Sequence, residues 1–76
     1  MWEEKDNKLS RSFTFKDFSE AFAFMTRVAL AAEKMGHHPT WDNEWNKVNI
    51  SLSTHSAGNK VTDKDHNLAL EIDNIL

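Results

Sequence analysis

The 76-residue sequence predicts an α+β fold in which two helices pack on one face of an antiparallel sheet of three to four strands. Three observations carry that expectation. The apolar residues alternate near the N-terminus, recur every three or four positions from Asp17, alternate again from Trp45 to Thr54, and return to helical spacing beyond Thr62. Two cap signals, Asp17 with Glu20 and Thr62 with Asp65, stand where the helical spacing begins. The composition, 39% hydrophobic and 28% charged with two Gly and one Pro, is that of a globular chain and not of a linker or disordered segment. The expected order is ββαβα, read as one domain over residues 1–76.

Each element has its own signal. Trp2 to Lys5 and Leu9 to Phe15 flank the turn-prone pair Asp6-Asn7, and Leu9, Arg11, Phe13 and Phe15 alternate with Ser10, Ser12 and Thr14, which predicts a short hairpin. Phe18, Ala21, Phe22, Met25, Val28, Ala29, Ala32 and Met35 form a helical stripe, expected to be core, and Gly36 stands where a helix end favours a left-handed residue. The helix is expected from about Asp17 to Met35, roughly 28 Å at 1.5 Å per residue. From Trp45 to Thr54, Val48, Ile50 and Leu52 share one face and Lys47, Asn49, Ser51 and Ser53 the other, as in a strand buried on one side. Asp65, Leu68, Ala69, Ile72, Ile75 and Leu76 then keep helical spacing to the C-terminus.

Composition also excludes several functions. With no cysteine there is neither a disulfide nor a thiolate zinc site. A net charge of -3 offers no basic field for phosphate backbones, so neither nucleic acid nor a membrane is an expected partner. The apolar runs Ala21 to Met25 and Val28 to Ala32 are far too short to span a bilayer. The charged N-terminus Met1-Trp2-Glu3-Glu4-Lys5-Asp6 lacks the form of a secretory signal, and a soluble cytoplasmic protein is expected.

Three of the four histidines lie at element ends. His37 and His38 follow the long helix just before Pro39, and His55 is expected to end the strand, on the face opposite Val48, Ile50 and Leu52. Imidazole gives or takes a proton near neutrality, and rigid element ends are where such groups are best placed. An adjacent His-His pair is by itself a weak motif, compatible with a surface loop, acid-base chemistry or a metal site. The spacing argues against metal, because no pair has the i, i+4 geometry of a helical clamp. His66 falls on the polar side of the last helix. Trp41 and Trp45, close in sequence to the histidines, suit either a flat heteroaromatic ligand or a lid on a small core.

The run Glu33-Lys34-Met35-Gly36-His37-His38-Pro39-Thr40-Trp41-Asp42-Asn43-Glu44-Trp45, followed by Val48-Asn49-Ile50-Ser51-Leu52-Ser53-Thr54-His55 and then Asp65, resembles the pterin-4a-carbinolamine dehydratase family. Its pattern places a charged residue four before the first histidine, then His-His-Pro, an aromatic six after the proline, a histidine ten after that, and a later aspartate. Glu33, His37, His38, Pro39, Trp45, His55 and Asp65 meet it. Gly36 stands where relatives often have an acidic residue, Lys64 where they often have arginine, and the segment Ser56 to Lys64 is one residue longer than in animal members. The helix that usually precedes the first strand of the family is expected to be lacking.

The resemblance implies dehydration of 4a-hydroxytetrahydropterin to quinonoid dihydropterin, part of pterin regeneration, with no cofactor and no metal. It implies His37, His38 and His55 as catalytic residues, with Glu33 and Asp65 in support. The substrate pterin would be bound around Gly36, His37 and His38 and around Ser53, Thr54, His55 and Ser56, with Trp41 nearby. The rival expectation is a non-catalytic pterin-binding or protein-interaction module on the same fold, like the transcriptional coactivator role of some relatives. So short a chain without disulfides is further expected to form a homodimer or homotetramer, with a strand edge pairing across subunits.

Overall fold

The computed structural model describes residues 1–76. Strands β1 (Glu3–Lys5) and β2 (Lys8–Thr14) form the expected hairpin, and helix α1 (Phe18–Met35) follows. Strands β3 (Thr40–Glu44) and β4 (Lys47–Leu52) form a second hairpin, a 3-10 turn covers His55–Ala57, and helix α2 (Asp63–Ile75) closes the chain. The four strands are antiparallel in the order β1-β2-β4-β3. The α+β class, the antiparallel sheet and the two helices are as the sequence predicts, with one strand more than the ββαβα order.

The hairpin turns explain the registers. Asp6 and Asn7 both have positive φ (53° and 63°), the pairing of left-handed residues that matches strand twist in a two-residue loop, and Lys5 pairs with Lys8 across it. The second hairpin turns at Trp45-Asn46, with Glu44 opposite Lys47. Trp45 is therefore in a turn and not in the strand expected from Trp45 to Thr54. It takes the unfavourable φ of 50° for a bulky residue, and the side-chain amide of Asn43 holds the turn by donating to the carbonyls of Trp45 and Lys47 at 3.2 and 2.7 Å. That use of Asn43 also hides β3 in the sequence, because a position facing the helices is polar.

The core lies between one sheet face and the helices. Leu9, Phe13, Val48, Ile50 and Leu52 from the sheet are buried against Ala21, Phe24, Val28 and Ala32 of α1 and Leu68, Ala69 and Ile72 of α2. Phe24 is central, with its ring centroid 4.8 Å from that of Phe13 and 4.9 Å from that of Phe15. The helical stripe read from sequence is corrected here. Phe18 and Phe22 contact one another in a tilted arrangement with ring centroids 5.8 Å apart but are about half exposed, and Ala29 is exposed, whereas Phe24 is buried. α1 carries more apolar surface than the sheet and α2 can cover, so spacing alone did not fix which arc faces inward.

Removing the Phe24 ring is expected to lower stability by about 3–5 kcal/mol through lost burial and a residual cavity. Phe22→Ala in the monomer should cost less than about 1 kcal/mol. Urea unfolding of the two variants checks this, and equal losses would contradict the assigned face of α1.

Candidate functional site

The ends of α1, β4 and α2 meet at one buried carboxylate. α1 stops at a left-handed Gly36 (φ 66°), whose N–H bonds to the Glu33 carbonyl while the His37 N–H bonds to the Ala32 carbonyl, each at 3.1 Å. These two bonds are those of a Schellman motif, and they fix where the chain leaves the helix and hence where His37 begins. A Cβ at Gly36 would meet nothing within 4 Å, so the glycine serves the backbone turn and not a close approach.

At the other helix, Thr62 caps α2 and Asp65 occupies the third helical position. The capping box is complete: Thr62 receives helix N–H groups on its hydroxyl, and the Asp65 Oδ2 accepts the Thr62 N–H at 2.9 Å. The side chain of Asp65 is 0% exposed, and its other oxygen, Oδ1, lies 2.6 Å from His37 Nε2. The hydroxyl of Thr54 donates to Oδ2 at 2.7 Å. Burial by itself would raise the Asp65 pKa. The hydrogen bonds from the His37 ring, the Thr62 N–H and the Thr54 hydroxyl, with the charge of His37 when protonated, outweigh it, and the carboxyl lies below its ordinary 3.8.

An ionised carboxylate only accepts, so neutral His37 carries its proton on Nε2. The ring is 12% exposed, and Nδ1 has no partner within the chain and is not among the buried unpaired atoms, which leaves its lone pair open to an incoming group. His38 differs. Its Nε2 lies 2.8 Å from Glu33 Oε1, but the two side chains are 63% and 80% exposed, so the pair is a solvated surface contact that orients the ring only weakly.

Asp65 and Glu33 thus each contact one of the two adjacent histidines, with unequal rigidity. His55 needs a correction. The chain leaves the sheet at Leu52, and His55 opens the 3-10 turn as an exposed residue instead of ending a strand. Thr54 is buried because it bridges to Lys60, with its N–H on the Lys60 carbonyl at 2.8 Å, and that bridge turns the backbone before His55. The Thr54 hydroxyl faces Asp65 and Thr62 and is not free for a ligand. Ser53 is half-buried and Ser56 exposed on either side of it.

Trp41 packs partly against the core from β3, opposite Ile50, and also lines an open surface cleft with Arg11 and Asn49. None of the three histidines lines any of the chain's five cavities; His38 and His55 are exposed, and His37 is mostly buried. No three His, Asp or Glu side chains converge as metal ligands would. His66 stands 4.0 Å from Glu4 of β1, on the flank of α2 beside the sheet edge, and no helix is long and apolar enough to cross a membrane. Sequence reasoning missed Thr62 as part of the site; its only signal was the capping box, which was read as helix chemistry alone.

The fold and site define a class: a small α+β domain in which a buried aspartate at a helix N-terminus steadies one histidine of a His-His-Pro turn. The chain belongs to the pterin 4 alpha carbinolamine dehydratase family, whose model matches residues 1–75. It is 56% identical over 72 residues to a protein of Synechococcus sp. (strain WH7803) named "Putative pterin-4-alpha-carbinolamine dehydratase", covering 95% of this chain and 76% of that one. A Bradyrhizobium sp. (strain BTAi1 / ATCC BAA-1182) protein of the same name is 57% identical over 76 residues, covering 97% and 76%. Among solved structures, a transcriptional coactivator/pterin dehydratase from Brucella melitensis superposes with a TM-score of 0.91 at 47% identity, covering 97% of this chain and 80% of that one. A pterin dehydratase-like RuBisCO assembly factor of the alpha-carboxysome shares the fold at a TM-score of 0.79 and 22% identity, covering 99% and 86%.

The depressed Asp65 pKa has a signed consequence for acid stability. As the pH falls, the unfolded chain takes the proton first, so the stabilisation is complete above the unfolded value of 3.8 and is lost as the pH drops through the lower folded value. Asp65→Asn should flatten that part of the acid limb and cost about 1–3 kcal/mol at neutral pH. Urea midpoints across the acid range measure both, and an unchanged acid limb would show that another carboxylate governs it.

Proposed function

We propose that the protein dehydrates pterin-4a-carbinolamine to quinonoid dihydropterin by histidine acid-base chemistry. The observation that carries this reading is His37 held by buried Asp65 with Nδ1 open, in a chain whose family is the pterin carbinolamine dehydratases. In the reaction the C4a–O bond breaks with its electron pair leaving on oxygen, which takes a proton and departs as water. N5 loses its proton, and its lone pair forms the C4a=N5 double bond. The step needs one proton delivered and one removed at neighbouring atoms of a flat ring, which suits imidazoles.

His37 is the rigid member of the set, and His38 and His55 are the exposed ones that can adjust to the substrate. Gly36, Ser53 and Ser56 flank these histidines in sequence and complete the proposed pterin-binding rim, with no cofactor required. Glu33 supports His38 from the last turn of α1. A homodimer or homotetramer in the cytoplasm is part of the same reading, supported by the uncovered Phe18, Phe22 and Leu30 of α1 and by β3 at one edge of the sheet. The second reading, a non-catalytic pterin-binding or protein-interaction module, draws support from the reuse of this fold in an assembly factor, since fold does not fix function.

Freshly generated 4a-hydroxytetrahydropterin followed by stopped-flow absorbance separates the two readings. The wild-type protein should accelerate its loss, and His37→Ala and His55→Ala should each lower kcat on the order of 10²-fold, as for removal of an acid-base group. Pterin binding without turnover would favour the module. For the assembly, light scattering should give a dimer or tetramer mass that falls when Phe18 and Phe22 are both changed to Ser; a monomeric wild-type mass contradicts it.

A further inference from the structure

We propose that Thr54 and Thr62 are positioning residues of the site, forming a directional hydroxyl relay from the N-terminus of α2 through Asp65 that sets which nitrogen of His37 faces the substrate. The proposal rests on the dehydratase reading for its effect on turnover, but the relay itself stands on geometry. Thr54 Oγ1 lies 2.7 Å from Asp65 Oδ2 and 2.7 Å from Thr62 Oγ1. A hydroxyl has one proton, and the carboxylate can only accept, so Thr54 gives its proton to Asp65. Thr62 then gives its own to Thr54, while its oxygen accepts the helix N–H of Lys64 at 3.3 Å.

Every bond in the chain therefore points the same way: helix N–H to Thr62, Thr62 to Thr54, Thr54 to Asp65 Oδ2. On the far side of the carboxylate, Oδ1 takes the proton of His37 Nε2. Bonds aligned in series polarise one another, and Asp65 and Thr54 are both buried, where little water competes. With Oδ2 filled by two donors, the Thr54 hydroxyl and the Thr62 N–H, the carboxylate cannot rotate away without leaving a buried donor unpaired. Its orientation in turn fixes the imidazole plane and keeps the Nδ1 lone pair outward. Thr54 precedes His55 in the chain, so the relay also ties the backbone carrying exposed His55 to His37.

The test pairs Thr54→Val, which keeps the shape and removes the hydroxyl, with Thr54→Ser, which keeps the hydroxyl. Long-range ¹H–¹⁵N spectra of the full chain in alkaline buffer report which His37 nitrogen carries the proton, with no need for turnover. Wild type should show the proton on Nε2. Thr54→Val should give a mixture of tautomers and lower kcat about tenfold, the size of one hydrogen bond to a charged group, with KM little changed. Thr54→Ser should return both readouts toward wild type. Thr62→Gly, which as an N-cap costs only a few tenths of a kcal/mol, should move them in the same direction as Thr54→Val and guards against a folding failure at the buried site. Pure Nε2–H signals in both Thr54→Val and Thr62→Gly would overturn the relay. If wild type shows no dehydratase turnover, the dehydratase reading falls while the nitrogen spectra still decide the relay.

Discussion

Three chain segments that have no covalent reason to meet converge on the carboxylate of Asp65. Its Oδ1 takes the end of α1 through His37, and its Oδ2 takes the exit from β4 through Thr54 and the cap of α2 through Thr62. A buried charge is tolerable only when its lone pairs are filled, and here they are filled by donors from three elements. The constraint runs both ways. The charge needs those donors close, and so the ends of α1, β4 and α2 can meet in only one arrangement. A chain of 76 residues with no cysteine has a small core. The apolar layer supplies the bulk of the attraction, while this one polar node selects how the layer is closed at the end that carries the histidines.

The same node divides the adjacent histidines. Consecutive residues beyond a helix end meet different surroundings, and here one ring is turned to a buried carboxylate and the other to an exposed one. Glu33 with His38 is a flexible pair in high dielectric, whereas Asp65 with His37 is shielded. For the proposed dehydration at two neighbouring ring atoms, that inequality would leave one group fixed before the substrate arrives and the other free to follow it.

Much of the fold was legible because its signals are local. The Asp6-Asn7 turn, the caps at Asp17 and Thr62, the Gly36 stop and the inward set Val48, Ile50 and Leu52 all act through near neighbours in sequence. Glu20 shows the limit of such reading even locally: Asp17 accepts the Glu20 N–H at 2.9 Å as expected of a cap, but the Glu20 carboxylate reaches the Lys16 N–H instead of that of Asp17. What escaped depended on contacts across the chain. Phe24 displaced Phe22 from the core because the sheet presents Phe13 and Phe15 to that side of α1. β3 was overlooked because Asn43 faces inward to hold a turn.

The site was legible as a residue set and not as a geometry. The His-His-Pro turn, His55, Glu33 and Asp65 could be named by resemblance to the family, but a residue pattern does not rank them by rigidity. That ranking follows from where each carboxylate sits. Asp65 is at the third position of α2, inside the angle between helix and sheet, and Glu33 lies on the outward side of α1's last turn. Thr54 shows the same logic from the strand. It was expected to touch a ligand because it neighbours His55, yet its bridge to Lys60 turns the hydroxyl inward, while the next residue turns out. Thr54 is extended (φ -103°, ψ 109°) and bridged to Lys60, whereas His55 opens the 3-10 turn, and the change of backbone conformation between them leaves one side chain buried and the next exposed. A buried anchor at Thr54 and an exposed histidine at His55 are therefore one geometric fact, and the outward reach of the second follows from the inward bond of the first.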